Sequence, residues 1–186
     1  MEHCAVGSIL LATVFFAHGD DIVDFSNNRT FAVEADRLVR DMVGNPLVGT
    51  NYFAQLYYGN SADSLRPVTS APARFRLPGT ANPGTWLGGN RTLQGFSFGD
   101  VPILQVRVWD STVGGNWEEA ESTGFGDTQH GISATFPYQI PPAGCTSPDC
   151  FLIENFRGFS LVPEPSAAAF FVAGALALLV VRLRAR

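Results

Sequence analysis

The stretch Val101-Pro102-Ile103-Leu104-Gln105-Val106-Arg107-Val108-Trp109 alternates two chemistries. Leu104, Val106 and Val108 fall on one side, and Gln105, Arg107 and Trp109 on the other. A β-strand imposes this period of two because successive Cβ atoms leave opposite faces. Asn51-Tyr52-Phe53-Ala54-Gln55-Leu56-Tyr57-Tyr58 repeats the pattern, with Phe53, Gln55 and Tyr57 opposed to Tyr52, Ala54, Leu56 and Tyr58, and Gly59-Asn60 ends it. Further out, Ile132 to Ile140 reads as a strand broken by Pro137, which places it at an edge or a bulge. Ile22 to Phe25 opens the sheet and Phe156 to Leu161 closes it. Leu38 to Met42 and Leu47-Val48 form a hairpin around Gly44-Asn45-Pro46, and Phe75, Leu77 and Leu93 to Phe98 supply shorter strands. Trp117 to Ser122 is the one segment with helical character. Gly (19) and Pro (12) are spread between these runs as turn signals. The pattern predicts a mainly β body over residues 20–161, an antiparallel sandwich of jelly-roll or immunoglobulin-like type.

All 12 basic residues are Arg, and the net charge of −5 is unevenly spread. Between Asp20 and Val162 there are 15 acids and 9 Arg, so the body stands near −6, while Arg182, Arg184 and Arg186 cluster at the C-terminus. An acidic body without a basic stripe argues against nucleic acid as a partner, because phosphate binding needs clustered positive charge.

The two ends read differently from the body. Residues 1–19 carry an apolar run from Cys4 to Ala17, too short to span a bilayer, followed by Ala17-His18-Gly19 and then abruptly by Asp20-Asp21. This is the pattern of a secretory signal, although no Lys or Arg precedes the run. Residues 162–186 begin Val162-Pro163-Glu164-Pro165-Ser166, continue through an unbroken apolar or Gly stretch from Ala167 to Val181, and end in Arg182-Leu183-Arg184-Ala185-Arg186. As a helix, those 15 residues rise about 23 Å, and flanking residues with a snorkelling Arg182 extend the span. A globular helix needs a polar face and this one has none. The positive-inside rule keeps the arginines cytoplasmic and the body outside. The prolines flanking Glu164 keep the preceding segment extended.

A Val-Pro-Glu-Pro-Ser motif, one hydrophobic helix and an Arg-rich end, in that order, resemble the PEP-CTERM sorting signal, over about 25 residues. The resemblance implies recognition by an exosortase, a membrane-embedded transpeptidase-like enzyme. That enzyme would cut near Pro163-Glu164-Pro165 and release or re-anchor the body at the cell surface or in a biofilm matrix. The same tail also reads as a permanent single-pass anchor. Segments such as Ala54-Gln55-Leu56-Tyr57-Tyr58-Gly59 and Gln105-Val106-Arg107-Val108-Trp109-Asp110 resemble the middle region of other proteins of this kind, to which no activity attaches.

Chemistry-bearing groups in the body are sparse. Cys145 and Cys150 flank Thr-Ser-Pro-Asp, and an exported pair at this spacing reads as a small-loop disulfide. His130 is the sole histidine beyond the signal, no G-x-S-x-G elbow is present, and His130 reads as a loop residue. Glu118, Glu119 and Glu121, like Asp20, Asp21 and Asp24, read as solvated faces, because a glycosidase needs carboxylates facing each other across a cleft. A hydrolase using Glu118 or Glu119 is the weakest functional alternative. Asp110 and Asp127 lie in loops with calcium-binding composition but without EF-hand spacing. Neither a metal nor a cofactor is expected. Trp117, after Gly114-Gly115-Asn116, is the best candidate for an exposed aromatic platform, which would make the body a carbohydrate-binding module for exopolysaccharide. The leading expectation is an exported, non-enzymatic surface or matrix protein held first at the membrane by its tail.

Overall fold

In a computed structural model, which describes residues 21–163 apart from 30, 33, 124–128 and 143, the chain is mainly antiparallel β-sheet with little helix. Residues 1–19, expected to be a secretory signal, and the tail from Glu164 onward, including Arg182, Arg184 and Arg186, lie outside the described residues. No helix among the described residues is long and apolar enough to cross a membrane.

The two alternating stretches form the central pair. Strand β2 (Tyr52–Gly59) and strand β6 (Ile103–Asp110) run antiparallel along their whole length, from Tyr52 opposite Asp110 to Gly59 opposite Ile103. On the far side of β2 lie β3 (Arg66–Pro67) and β4 (Ala73–Arg74). On the far side of β6 lie β7 (Gln129–Ile132) and β8 (Phe136–Pro137), and β9 (Val162–Pro163) adds to β7 at the edge. A separate two-stranded sheet pairs β1 (Asp21–Asp24) with β5 (Asn90–Leu93). One helix, α1 (Trp117–Ser122), follows β6.

The alternation predicts the faces of the large sheet. Ala54, Leu56 and Tyr58 of β2 and Leu104, Val106 and Val108 of β6 enter one buried cluster together with Val23 of β1 and Leu93 of β5. At full burial, each large apolar side chain contributes about 1.5–3 kcal/mol. Trp86 fills this cluster, ringed by Phe25, Phe75 and Phe156 with centroids 4.9, 5.8 and 5.7 Å away. Its indole N–H donates to the Phe25 carbonyl at 2.8 Å, so the polar atom is satisfied in the apolar interior. Buried Asn27 ties the loops over this core by donating to the carbonyls of Arg37 (2.8 Å) and Gly84 (3.0 Å).

Two expectations take a different form. The run from Ile132 to Ile140 becomes two short pieces, β7 and β8, because the Ser133 hydroxyl rather than its carbonyl accepts from the Val106 N–H (2.9 Å) and Pro137 offers no N–H to the ladder. The hairpin around Gly44-Asn45-Pro46 is present, closed by an Arg40–Pro46 bridge and a Leu47 N–H to Val39 carbonyl bond of 2.8 Å. His130, read as a loop residue, lies in β7 opposite Trp109.

Candidate functional site

The chain from Phe156 to Pro163 is a strap that carries the fold directly into the Pro163-Glu164-Pro165 motif. Phe156 and Leu161 are buried in the main core. Between them, backbone bonds bind the strap to residues 36–40. Gly158 N–H donates to the Asp36 carbonyl (2.9 Å), Arg40 N–H to the Phe159 carbonyl (2.9 Å) and Leu161 N–H to the Arg40 carbonyl (2.8 Å). The approach at Gly158 is close enough that a Cβ there would overlap the Leu38 carbonyl. The next two residues, Val162 and Pro163, pair with His130 and Gln129 of β7. The body and the Pro163-Glu164-Pro165 segment are therefore contiguous. Of the motif residues, Val162 and Pro163 have a described backbone, while Glu164 and Pro165 fall outside the described residues.

The opposite face of the sheet is covered by α1. Asn116 caps the helix by accepting from the Glu119 N–H (2.9 Å), and Gly114 permits the close return of the chain toward Ala120. A second cluster joins Tyr57, Trp109, Trp117 and Ala120. Trp117 does not form an exposed platform: it is 2% exposed, packed edge-on against His130 at 5.4 Å, with its N–H directed to Glu121 at 3.2 Å. The physical reason is that a short amphipathic helix must bury an anchor to stay folded.

The carboxylates expected to be solvated also have structural partners. Glu118 accepts from the Tyr57 hydroxyl (2.8 Å) and lies 3.9 Å from Arg107, whose guanidinium sits over the Tyr57 ring at 3.9 Å. Burial, then the bond to Glu118, raises the Tyr57 pKa well above the usual tyrosine range. Glu119 bonds back to the Gly115 N–H and the Asn116 amide, both at 2.8 Å. Asp24 is buried, contrary to the solvated reading, and is held by Ser26 (2.6 Å) and Arg29 (2.9 Å). Arg107 and Tyr57 were legible only as strand residues, because their meeting with Glu118 depends on how α1 folds back. Nothing in this array presents two carboxylates across a cleft.

Asp110 uses its carboxylate locally, accepting from Thr112 N–H (2.9 Å) and from the Asn51 amide (3.0 Å), and Asp127 lies outside the described residues. Among the described residues, no group of three or more His, Cys, Asp or Glu side chains comes together as a metal site. Cys145 and Cys150 form a disulfide, with Cα atoms 6.5 Å apart. A concavity of about 550 Å³ beside Arg29, Phe31, Glu34 and Arg37 has mixed charge, and its cations are engaged: Arg29 with Asp24, and Arg37 over Phe31 at 3.8 Å and 3.6 Å from Glu154. Comparison of the chain with models of known families, with curated proteins and with solved structures finds no match.

Proposed function

We propose that this chain is an exported surface or extracellular-matrix protein, sorted through its C-terminal tail and processed near Pro163-Glu164-Pro165 by an exosortase. The body is structural or adhesive rather than enzymatic. The observation that carries this reading is the three-part tail, a proline-bounded motif followed by an apolar stretch from Ala167 to Val181 and then three arginines. The strap supports it, because it holds the chain at the surface of the body up to the first proline of the motif. A processing enzyme then receives an extended segment with one side fixed by the body and the other by the apolar stretch. In this reading the body is an antiparallel sandwich whose second layer is reduced to the β1–β5 pair and its loops. A disulfide in the body agrees with an oxidising compartment.

Intact mass spectrometry of the protein from native membranes and medium tests the reading. Masses for a chain that begins near Asp20 and ends near Pro163-Glu164-Pro165 are the expected result. A mass that retains Ala167 to Arg186 in every fraction would reduce the tail to a permanent anchor and remove the exosortase step.

A further inference from the structure

We propose that the end of the body formed by the Met42–Val43 hairpin tip is a membrane-contact surface, seated in the headgroup layer of the bilayer that receives the tail. This rests on the tail reading above and adds an orientation and a docking face to it.

The strand registers place the surface. Pro163 leaves the sheet opposite Gln129. Across β7, β6 and β2, that end of the sheet is the one carrying Asp110 and Tyr52. Arg40 runs parallel to the strap and level with Ser160, so the turn that follows Arg40 projects from the end where Pro163 exits. Leu77 reaches the same end, because the preceding Arg76 carbonyl accepts from Gly49 N–H at 2.8 Å, just before Asn51 and β2. Met42, Val43 and Leu77 are 40%, 80% and 55% exposed, unusual for three large apolar side chains at one end of an acidic body. Phe98 and Val101, also exposed, precede Ile103 and so belong to the opposite end.

The length of chain beyond Pro163 says what covers this end. Four residue steps separate Pro163 from Ala167, where the apolar stretch begins. Fully extended, they span at most about 14 Å. The headgroup layer on one side of a bilayer occupies roughly 5–8 Å of that distance. Pro163 is thus held about one headgroup layer or less from the membrane surface, and the tip beside it meets that surface.

The turn is built for such a place. Asp41 Oδ1 accepts from the N–H groups of Val43 (3.0 Å) and Asn45 (2.8 Å), and the Asp41 carbonyl accepts from Gly44 N–H (3.1 Å). Gly44 takes the left-handed conformation at φ 90° that lets the chain reverse. The N–H groups of Val43, Gly44 and Asn45 are bonded within the turn, which lowers the cost of placing it among headgroups, and the exposed Met42 and Val43 side chains gain apolar surroundings.

The test uses the full chain with Cys4 replaced by Ala, reconstituted in vesicles of phosphatidylethanolamine and phosphatidylglycerol. An environment-sensitive fluorophore is attached in turn at Val43→Cys, Phe98→Cys and Ala175→Cys. Each is read against nitroxide lipids labelled at the headgroup or deep in the acyl chain. The expected result is loss of emission at position 175 with the deep nitroxide, loss at 43 with the headgroup nitroxide, and none at 98. Loss at 175 with no loss at 43, or equal loss at 43 and 98, overturns the docking surface while leaving the tail reading intact. No loss at 175 overturns the tail reading, and this inference falls with it.

Discussion

Replacing Phe156 with Ala tests whether the strap is part of the cooperative core. Phe156 is fully buried, and its ring meets Trp86 at 5.7 Å, Phe136 at 5.7 Å and Phe159 at 6.4 Å. Deleting a buried phenyl ring removes its transfer free energy and leaves a cavity that rigid neighbours fill only in part, a cost of about 3–5 kcal/mol. Here the neighbours are aromatic rings fixed by the sheet, so the upper half of that range is expected. A domain of this size holds about 5–15 kcal/mol in all, so the variant folds but stands near its limit. With a urea slope of about 2 kcal/mol per molar, the midpoint falls by about 2 M. Equilibrium urea unfolding of a chain from Asp20 to Pro163, followed by tryptophan fluorescence, measures it. Arg157→Ala is the control, because Arg157 is exposed and its guanidinium bonds the nearby carbonyls of Glu154 and Phe156. Its effect should stay within about 0.5 kcal/mol. A loss below about 1 kcal/mol for Phe156→Ala would show that the strap contributes little, and the continuity of body and motif would have no energetic content.

Trp117→Ala should destabilise the body by about 3 kcal/mol in the same assay, whereas Glu118→Gln should cost under about 1 kcal/mol, since Glu118 is largely exposed. The reverse order would return Trp117 to the role of a surface platform. Tyr57 and Tyr138 have folded-state pKa values raised, first by burial and then by nearby carboxylates, Glu118 for Tyr57 and Asp21 and Asp24 for Tyr138. A raised folded value means their contribution is complete below the unfolded tyrosine pKa of about 10 and is lost as pH climbs above it. Absorbance at alkaline pH should therefore show these two ionising late and together with unfolding; early, independent ionisation would contradict their burial. Replacing Cys145 and Cys150 with Ser should cost about 2 kcal/mol by loop-closure entropy for so short a loop, read as a fall in thermal midpoint that reducing agent reproduces in the parent.

The sequence makes some of this plain and hides the rest for identifiable reasons. Strands β2 and β6 and the two faces they present follow from alternation alone, because their inward residues are aliphatic or aromatic at every second position. Helix α1 is visible as the one segment of the body with helical character, and the structure adds the Asn116 cap and the acidic first turn that hold it. The burial of its Trp117 is not, since periodicity over six residues cannot tell which side meets the sheet. Asp24 reads as one of a solvated trio until the chain brings Ser26 and Arg29 to it. The closing role of Phe156 to Leu161 is legible, but its partner is not. It pairs with residues 36–40 through isolated bonds rather than a continuous ladder, and such non-local pairing leaves no periodic trace.

The strap also fixes when the body can become native. Its partners lie near the start of the fold, as in the Gly158 N–H bond to the Asp36 carbonyl. Everything the strap closes is synthesised well before it. Until Gly158 to Leu161 emerge, the N–H of Arg40 and the carbonyls of Asp36 and Arg40 have only water, and β7 has an open edge. A nascent chain that stops near residue 150 therefore carries most of the apolar core without its closure. Folding is completed by the last residues of the body to be made, a topology that makes closure late and slow relative to local hairpins.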